Sequence, residues 1–96
     1  MIKVYFYKKE NKIVKFEIKG HANNKVVCAS LSGMLWMVVR SLKRLFNVEC
    51  FGNISGGYAV SEFVESEGGK LLLMAFRIGV EELKKKFPEE VEIYEV

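Results

Sequence analysis

The hydrophobic period of the chain changes at residue 26, and this change is the strongest constraint on its fold. Before it, "IKVYFY" and "IVKFEIK" alternate apolar and polar residues, which predicts a β-hairpin with one buried face. From Val26 to Phe46, apolar residues recur every three or four positions, which predicts a long helix. We therefore expect this helix to pack on the apolar face of the hairpin, which consists of Ile2, Val4, Phe6, Val14, Phe16 and Ile18.

The second half of the chain predicts a similar set of elements. "VECF" and "GYAVSEFV" are typical of two strands around the turn "GNISGG". A second helix is predicted from about Gly69 to Phe87, because Pro88 cannot continue it. "VEIYEV" predicts a final strand. The order ββαββαβ predicts a single α+β domain over residues 1–96, a two-layer sandwich with both helices on one face of a largely antiparallel sheet.

The apolar segments are too short or too interrupted to predict membrane insertion. The stretch "VVCASLSGMLWMVV" contains serines and a glycine and ends before Arg40, short of the roughly 20 apolar residues that a span needs. "MIKVYFYKKENK" lacks the continuous apolar segment of a signal peptide. We expect a cytoplasmic protein in which Cys28 and Cys50 are free thiols, since the cytoplasm is reducing.

Charge is unevenly distributed along the sequence. Residues 1–48 carry ten Lys or Arg against Glu10 and Glu17, whereas residues 49–96 carry five against ten Glu. Such asymmetry can mark an RNA-binding surface. However, strands from both halves are expected to mix in the sheet, and aromatic and basic residues do not interleave along the sequence as in RNA-stacking motifs. Direct RNA contact is possible but not expected.

The segment "HANNKVVCASLS" places the only histidine, His21, seven residues before Cys28, at the start of the first helix. Backbone N–H groups and the helix dipole favour a thiolate there, and an adjacent imidazole can serve as general base and then general acid. The N–H of Cys28 or of its neighbour could stabilise an oxyanion. Ser32 lies one turn further on the same helix face and could bind the thiolate or the substrate.

The same residues also fit a purely structural interpretation. Cys28 shares its helix face with Leu35 and Val39, and a free cysteine is among the residue types most often buried. A histidine in a loop is commonly just solvated. The residues alone leave both interpretations open. One His, two distant Cys and no Asp do not form a metal ligand set, so we expect neither a metal nor another cofactor.

Three segments resemble the ribosomal-processing cysteine protease (Prp) family over essentially the whole chain: "FEIKGHA", "VVCASLS" and "LLLMAFRIGVEELKKKFPEEVEIYEV". The resemblance implies a homodimeric α+β protease that removes a short N-terminal extension from large-subunit ribosomal protein number twenty-seven. It also implies a Cys/His dyad on Cys28 and His21, with a supporting serine at Ser32. The family commonly has a longer His-to-Cys loop and an acidic residue at the position of Lys25. Asn23 or Asn24 could orient His21 instead.

We therefore predict a cysteine endopeptidase that cuts an extended peptide after an aromatic residue. Trp36 is a candidate dimer contact, because it lies on the side of the first helix opposite the buried stripe, although packing at the rim of the core would also explain it. The alternative is a non-catalytic ribosome- or RNA-binding assembly factor that uses the basic first half.

Overall fold

The computed structural model describes residues 1–53 and 56–96. Ile54 and Ser55, in the predicted turn "GNISGG", lie outside the described residues. The predicted order ββαββαβ is confirmed. Its elements are β1 (Ile2–Lys9), β2 (Lys12–Gly20), α1 (Lys25–Phe46), β3 (Cys50–Asn53), β4 (Tyr58–Ser61), α2 (Glu67–Lys86) and β5 (Val91–Glu95).

The five strands form one mixed sheet in the order β3-β4-β2-β1-β5. The pairs β1/β2, β2/β4 and β3/β4 are antiparallel, whereas β5 is parallel to β1. The parallel pair is possible because α2 carries the chain back across the sheet before β5 begins. The α+β sandwich with a largely antiparallel sheet is thus confirmed.

The core lies between the helices and one face of the sheet. At its centre, the ring of Phe76 makes edge-to-face contacts with Phe6 and Phe16, at centroid distances of 6.0 and 5.3 Å. The α1 residues buried here are Val27, Leu31, Leu35, Val38 and Leu42. Leu45 continues their spacing but is exposed. It lies in the last turn of a helix about 33 Å long, which exceeds the length of the strands beneath it.

Capping residues explain where the helices begin. Asn24 caps α1, since its side-chain oxygen accepts the N–H of Val26 at 2.8 Å. Ser66 caps α2 by accepting the N–H of Gly69 at 3.1 Å, so this helix begins two residues before the predicted Gly69. It ends at Lys86, just before Pro88, as predicted.

Helix α1 is long and apolar enough to cross a membrane by length and composition alone, which the sequence analysis did not anticipate. Five of its residues, however, belong to the domain core. Helices at the core of globular proteins pass the same test, so this single match is weak evidence for a membrane span.

The face of the sheet opposite the helices is open. Strand pairing there places four tyrosines next to three lysines, an interleaving that the linear sequence lacks because the residues come from different strands. The sequence-based expectation concerned only the linear order, and the folded sheet adds an arrangement that this order does not show. These residues are Lys3, Tyr5, Tyr7, Lys15, Lys19, Tyr58 and Tyr94.

Candidate active site at the start of the first helix

Cys28 is the fourth residue of α1 and is half-buried. Its thiol donates a hydrogen bond to the carbonyl oxygen of Ala22, with an Sγ–O distance of 3.4 Å. Its backbone N–H donates to the carbonyl oxygen of Asn24 at 3.3 Å. This N–H therefore already has a partner in this conformation, and that the N–H of Cys28 or of its neighbour stabilises an oxyanion stays a prediction.

His21 follows Gly20, where β2 ends. The N–H of Gly20 donates to the carbonyl oxygen of Gly57 at 2.8 Å, which fixes the end of β2 to the start of β4. The imidazole packs directly against Gly57, since a Cβ at position 57 would lie 2.5 Å from Nε2 of His21. Gly57 also has a φ of +78°, which side chains rarely adopt. Glycine at position 57 thus leaves space for the imidazole of His21.

A cavity of about 380 Å³ contains all three of the principal residues predicted from the sequence: His21, Cys28 and Ser32. This volume lies in the range of small-molecule sites. Its polar wall also includes Asn53 and Tyr58. The apolar part of its lining consists of Ile2, Ile18, Leu31, Leu35, Trp36 and Ala59. Helix α1 and the adjoining strands therefore bring a thiol, an imidazole and a hydroxyl to the rim of an apolar pocket.

The thiol and the imidazole share this cavity without bonding to each other. Over residues 1–53 and 56–96, no hydrogen bond joins Cys28 to His21, because the thiol donates to Ala22 instead. The Oδ1 atom of Asn24 is occupied by the helix cap. Asn23 uses its backbone N–H to bind Glu90. That either asparagine orients the imidazole stays a prediction.

Two contacts hold the short loop from His21 to Asn24, and the sequence analysis missed both. The carboxylate of Glu90 accepts the N–H of Asn23 at 3.0 Å. The N-terminal ammonium group of Met1 donates to the carbonyl oxygen of His21 at 2.6 Å. Met1 and Glu90 are far from the loop in sequence, so no sequence pattern indicated these two contacts. The "GG" that includes Gly57 predicted only a turn. The loop is short but well fixed.

Cys50, the second thiol, has a very different environment at the start of β3. Burial raises the pKa of Cys50 to about 11, and the carboxylates of Glu49 and Glu62 add to the shift. Both cysteines are free, as predicted. Within the described part of the chain, no three His, Cys, Asp or Glu side chains come together as metal ligands.

Comparisons with known proteins agree with this arrangement. A sequence model of the family described as cysteine protease Prp matches residues 1–92. Among curated proteins, the sequence finds no match.

Solved structures of other proteins share this fold. An essential ribosomal processing protease Prp from S. aureus, in complex with a covalently linked product peptide, has a TM-score of 0.88 at 21% identity, covering 100% of both chains. The same S. aureus protein with a substrate peptide has a TM-score of 0.87 at 18% identity, again covering 100% of both chains. A protein from Streptococcus mutans has a TM-score of 0.84 at 25% identity, covering 100% of this chain and 94% of its own. With the family match spanning nearly its whole length, this chain belongs to the Prp family of cysteine proteases.

Proposed function

We propose that this protein is a cytoplasmic cysteine endopeptidase that removes the N-terminal extension of a large-subunit ribosomal protein, number twenty-seven. The observation that carries the proposal is the single cavity lined by His21, Cys28 and Ser32 in a chain of the Prp family. The S. aureus relative is described as a ribosomal processing protease, with a product peptide covalently linked in one structure.

The reaction uses Cys28 as nucleophile and His21 as proton carrier. The imidazole takes the thiol proton while Sγ attacks the carbonyl carbon of the scissile bond. When the tetrahedral intermediate collapses, the C–N bond breaks and the imidazolium gives its proton to the leaving amine, which leaves a thioester on Cys28. Water then attacks the thioester with His21 as base, and this step releases the carboxylic acid and restores the thiol.

Entry into this reaction requires a change of hydrogen-bond partner at Cys28. The thiol must leave the carbonyl oxygen of Ala22 and turn toward the imidazole of His21. Ser32 lies one turn further along α1 and lines the same cavity, which favours a role for its hydroxyl in binding the thiolate or the substrate. We assign Ser32 this supporting role.

The apolar lining of the cavity favours an aromatic side chain next to the bond that is cut. Leu31, Leu35 and Ala59 provide a surface on which such a ring can be buried, beside the thiol. Burying an aromatic side chain is worth about 1.5 to 3 kcal/mol, or roughly 10- to 150-fold in binding. Cleavage after an aromatic residue therefore fits the pocket better than cleavage after a small or charged one.

The test is cleavage of a synthetic peptide that contains the extension and the first residues of the mature protein, followed by mass spectrometry. We expect one cut after an aromatic residue. Replacing that residue by alanine should lower kcat/KM by about 10- to 100-fold. Cleavage at many unrelated sites, or none by the wild-type protein, would contradict the proposal.

We also propose that the protein is a homodimer that pairs through α1. The outward side of this helix is uncharged from Val26 to Val39, and Met37 there is 56% exposed. Trp36, 50% exposed, does not lie opposite the buried stripe as predicted but at its border, because it also lines the cavity with Leu31 and Leu35. Two copies of such a face would cover each other. Analytical ultracentrifugation should show a dimer that Trp36→Glu converts to a monomer. Leu71→Glu on α2, also exposed, is the matched control and should stay dimeric.

A further inference from the structure

The open face of the sheet carries a regular array of aromatic and basic side chains. Residues paired across the strands share this face, and one row runs Phe51, Val60, Glu17, Tyr5, Tyr94 from β3 to β5. The next row runs Asn53, Tyr58, Lys19, Lys3, Glu92. Tyr7 and Lys15 form a further pair. Neither α1 nor α2 covers this side of the sheet, because both pack on its other face, so the array faces outward.

The aromatic rings of this face are held in place by their neighbours. Tyr5 stacks on Tyr94 with ring centroids 5.0 Å apart and planes 16° apart. The ammonium of Lys15 lies 5.1 Å from the ring centroid of Tyr7, and that of Lys19 lies 5.4 Å from the ring centroid of Tyr5. The array is therefore preorganised, which lowers the entropy cost of binding a partner.

The two carboxylates on this face are engaged by hydroxyl groups. Glu17 accepts hydrogen bonds from the hydroxyls of Tyr7 at 3.2 Å and Tyr58 at 2.9 Å. Glu92 accepts one from the hydroxyl of Tyr94 at 2.8 Å. Glu17 also forms an ion pair with Lys19, whose Nζ lies 3.7 Å from Oε1, so a phosphate at Lys19 would share this ammonium with the carboxylate. Glu17 and Glu92 both accept O–H donors, the kind of group that a ribose 2′-hydroxyl provides.

The strands at the centre of the sheet concentrate positive charge. Residues 1–20 contain six lysines against Glu10 and Glu17, and three of these lysines, Lys3, Lys15 and Lys19, lie on the open face in the middle of the strand order. On β1 and β2 this face therefore carries three lysines and one carboxylate, that of Glu17, and Glu92 on β5 lies beside Lys3. Lysines next to aromatic rings on an exposed sheet are the combination that binds single-stranded nucleic acid, through phosphates and stacked bases.

We propose that the open sheet face binds single-stranded RNA, with bases stacking on the tyrosines and phosphates contacting Lys3, Lys15 and Lys19. Hydroxyl-accepting carboxylates among the rings favour RNA over DNA. Catalysis does not enter this proposal, so binding should persist in the Cys28→Ala variant. Absence of RNA binding would therefore not contradict the protease proposal, and absence of proteolysis would not contradict RNA binding.

The experiment measures fluorescence anisotropy of a labelled oligouridine 12-mer with the full chain between 50 and 200 mM KCl. Three phosphate contacts predict a slope of about −2 in log K against log salt, or an affinity loss of about 20-fold over this range. Tyr5→Leu should weaken binding by about 10-fold or more. Tyr7→Phe keeps the ring and should retain binding within about threefold, which separates stacking from unfolding.

Matched charge variants locate the site. Lys15→Gln with Lys19→Gln should reduce the slope to about −0.7, since one of three contacts remains. Lys85→Gln with Lys86→Gln, in the last turn of α2, removes the same charge and should leave the slope unchanged. Equal losses of RNA affinity in the two double variants, or no RNA binding by the wild-type protein at 50 mM KCl, would overturn the proposal. So would equal affinity for the deoxythymidine 12-mer, or a change of oligomeric state in Tyr5→Leu without a change in RNA affinity.

Discussion

Cys28 and Cys50 are both half-buried free thiols, yet their surroundings differ in almost every respect. Cys28 lies in the first turns of α1 and shares a cavity with His21 and Ser32. Cys50 begins β3, where burial raises its pKa to about 11 and the carboxylates of Glu49 and Glu62 add to the shift. Only Cys28 has an imidazole in the same cavity, whereas the thiolate of Cys50 is disfavoured by its surroundings.

The difference shows that burial alone does not identify a nucleophile. A buried thiol beside anions stays protonated. In general, a helix N-terminus and an adjacent imidazole favour loss of the thiol proton instead. The residues that hold His21 and its loop come from separated parts of the chain: Gly57, just before β4, contacts the imidazole, and Glu90, just before β5, accepts the N–H of Asn23. Each of these residues can therefore be replaced in turn to test what distinguishes Cys28 from Cys50.

The largest expected effect separates the two thiols directly. Cys28→Ala should lower peptide cleavage by at least about 1,000-fold, because the nucleophile is lost. Cys50→Ala should keep cleavage within about threefold. Both rates are measured by mass spectrometry of the same peptide. Substantial cleavage by the Cys28→Ala variant would show that the nucleophile is elsewhere.

Removal of the imidazole should come next in size. His21→Ala should slow cleavage by about 100- to 10,000-fold, the usual contribution of a general acid–base residue. Its thermal transition should stay nearly unchanged, because the side chain is exposed in a loop. A large drop in the melting temperature would instead support a structural role for His21.

Displacement of the imidazole should have a smaller effect than its removal. Gly57→Ala introduces a Cβ 2.5 Å from Nε2 of His21 at a residue with positive φ. We expect about a 10- to 100-fold loss of kcat, with a loss of about 1 to 3 kcal/mol in the free energy of unfolding. Gly56→Ala is the control, since its Cβ would make only ordinary contact at 3.5 Å with Asn53. Equal activity of the two variants would contradict the assigned position of the imidazole.

The smallest effect is expected from the loop tether. Glu90→Gln weakens the charged acceptor for the N–H of Asn23, so kcat should fall by about three- to tenfold while the fold persists. Glu89→Gln changes an adjacent exposed carboxylate and should be neutral. A kcat ratio of one between the two variants would show that the tether does not affect catalysis.

Local patterns predicted the elements well because each one depends on nearby residues. The hairpin faces, the C-terminal end of α2 and the face of α1 that carries Cys28 and Ser32 follow from hydrophobic periodicity and Pro88, whereas the start of α2 was predicted two residues late because the cap at Ser66 was not recognised. The proximity of Gly57 and Glu90 to the loop could not be predicted, because it depends on the order β3-β4-β2-β1-β5, which brings strands from both halves together. The raised pKa of Cys50 was also missed, since Glu62 reaches it across the β3–β4 pair.

Competitive alkylation of the two thiols tests the central claim most directly. The full chain is treated with limiting iodoacetamide from pH 6 to 9, and labelling of Cys28 and Cys50 is quantified by peptide mass spectrometry. At pH 7 a thiol with a pKa of about 11, such as that of Cys50, is only about one part in 10,000 thiolate. If His21 activates Cys28 as the nucleophile, Cys28 should react at least about 100-fold faster than Cys50, and His21→Ala should reduce that advantage. Equal labelling of the two cysteines across this range would contradict the assignment of Cys28 as the activated nucleophile.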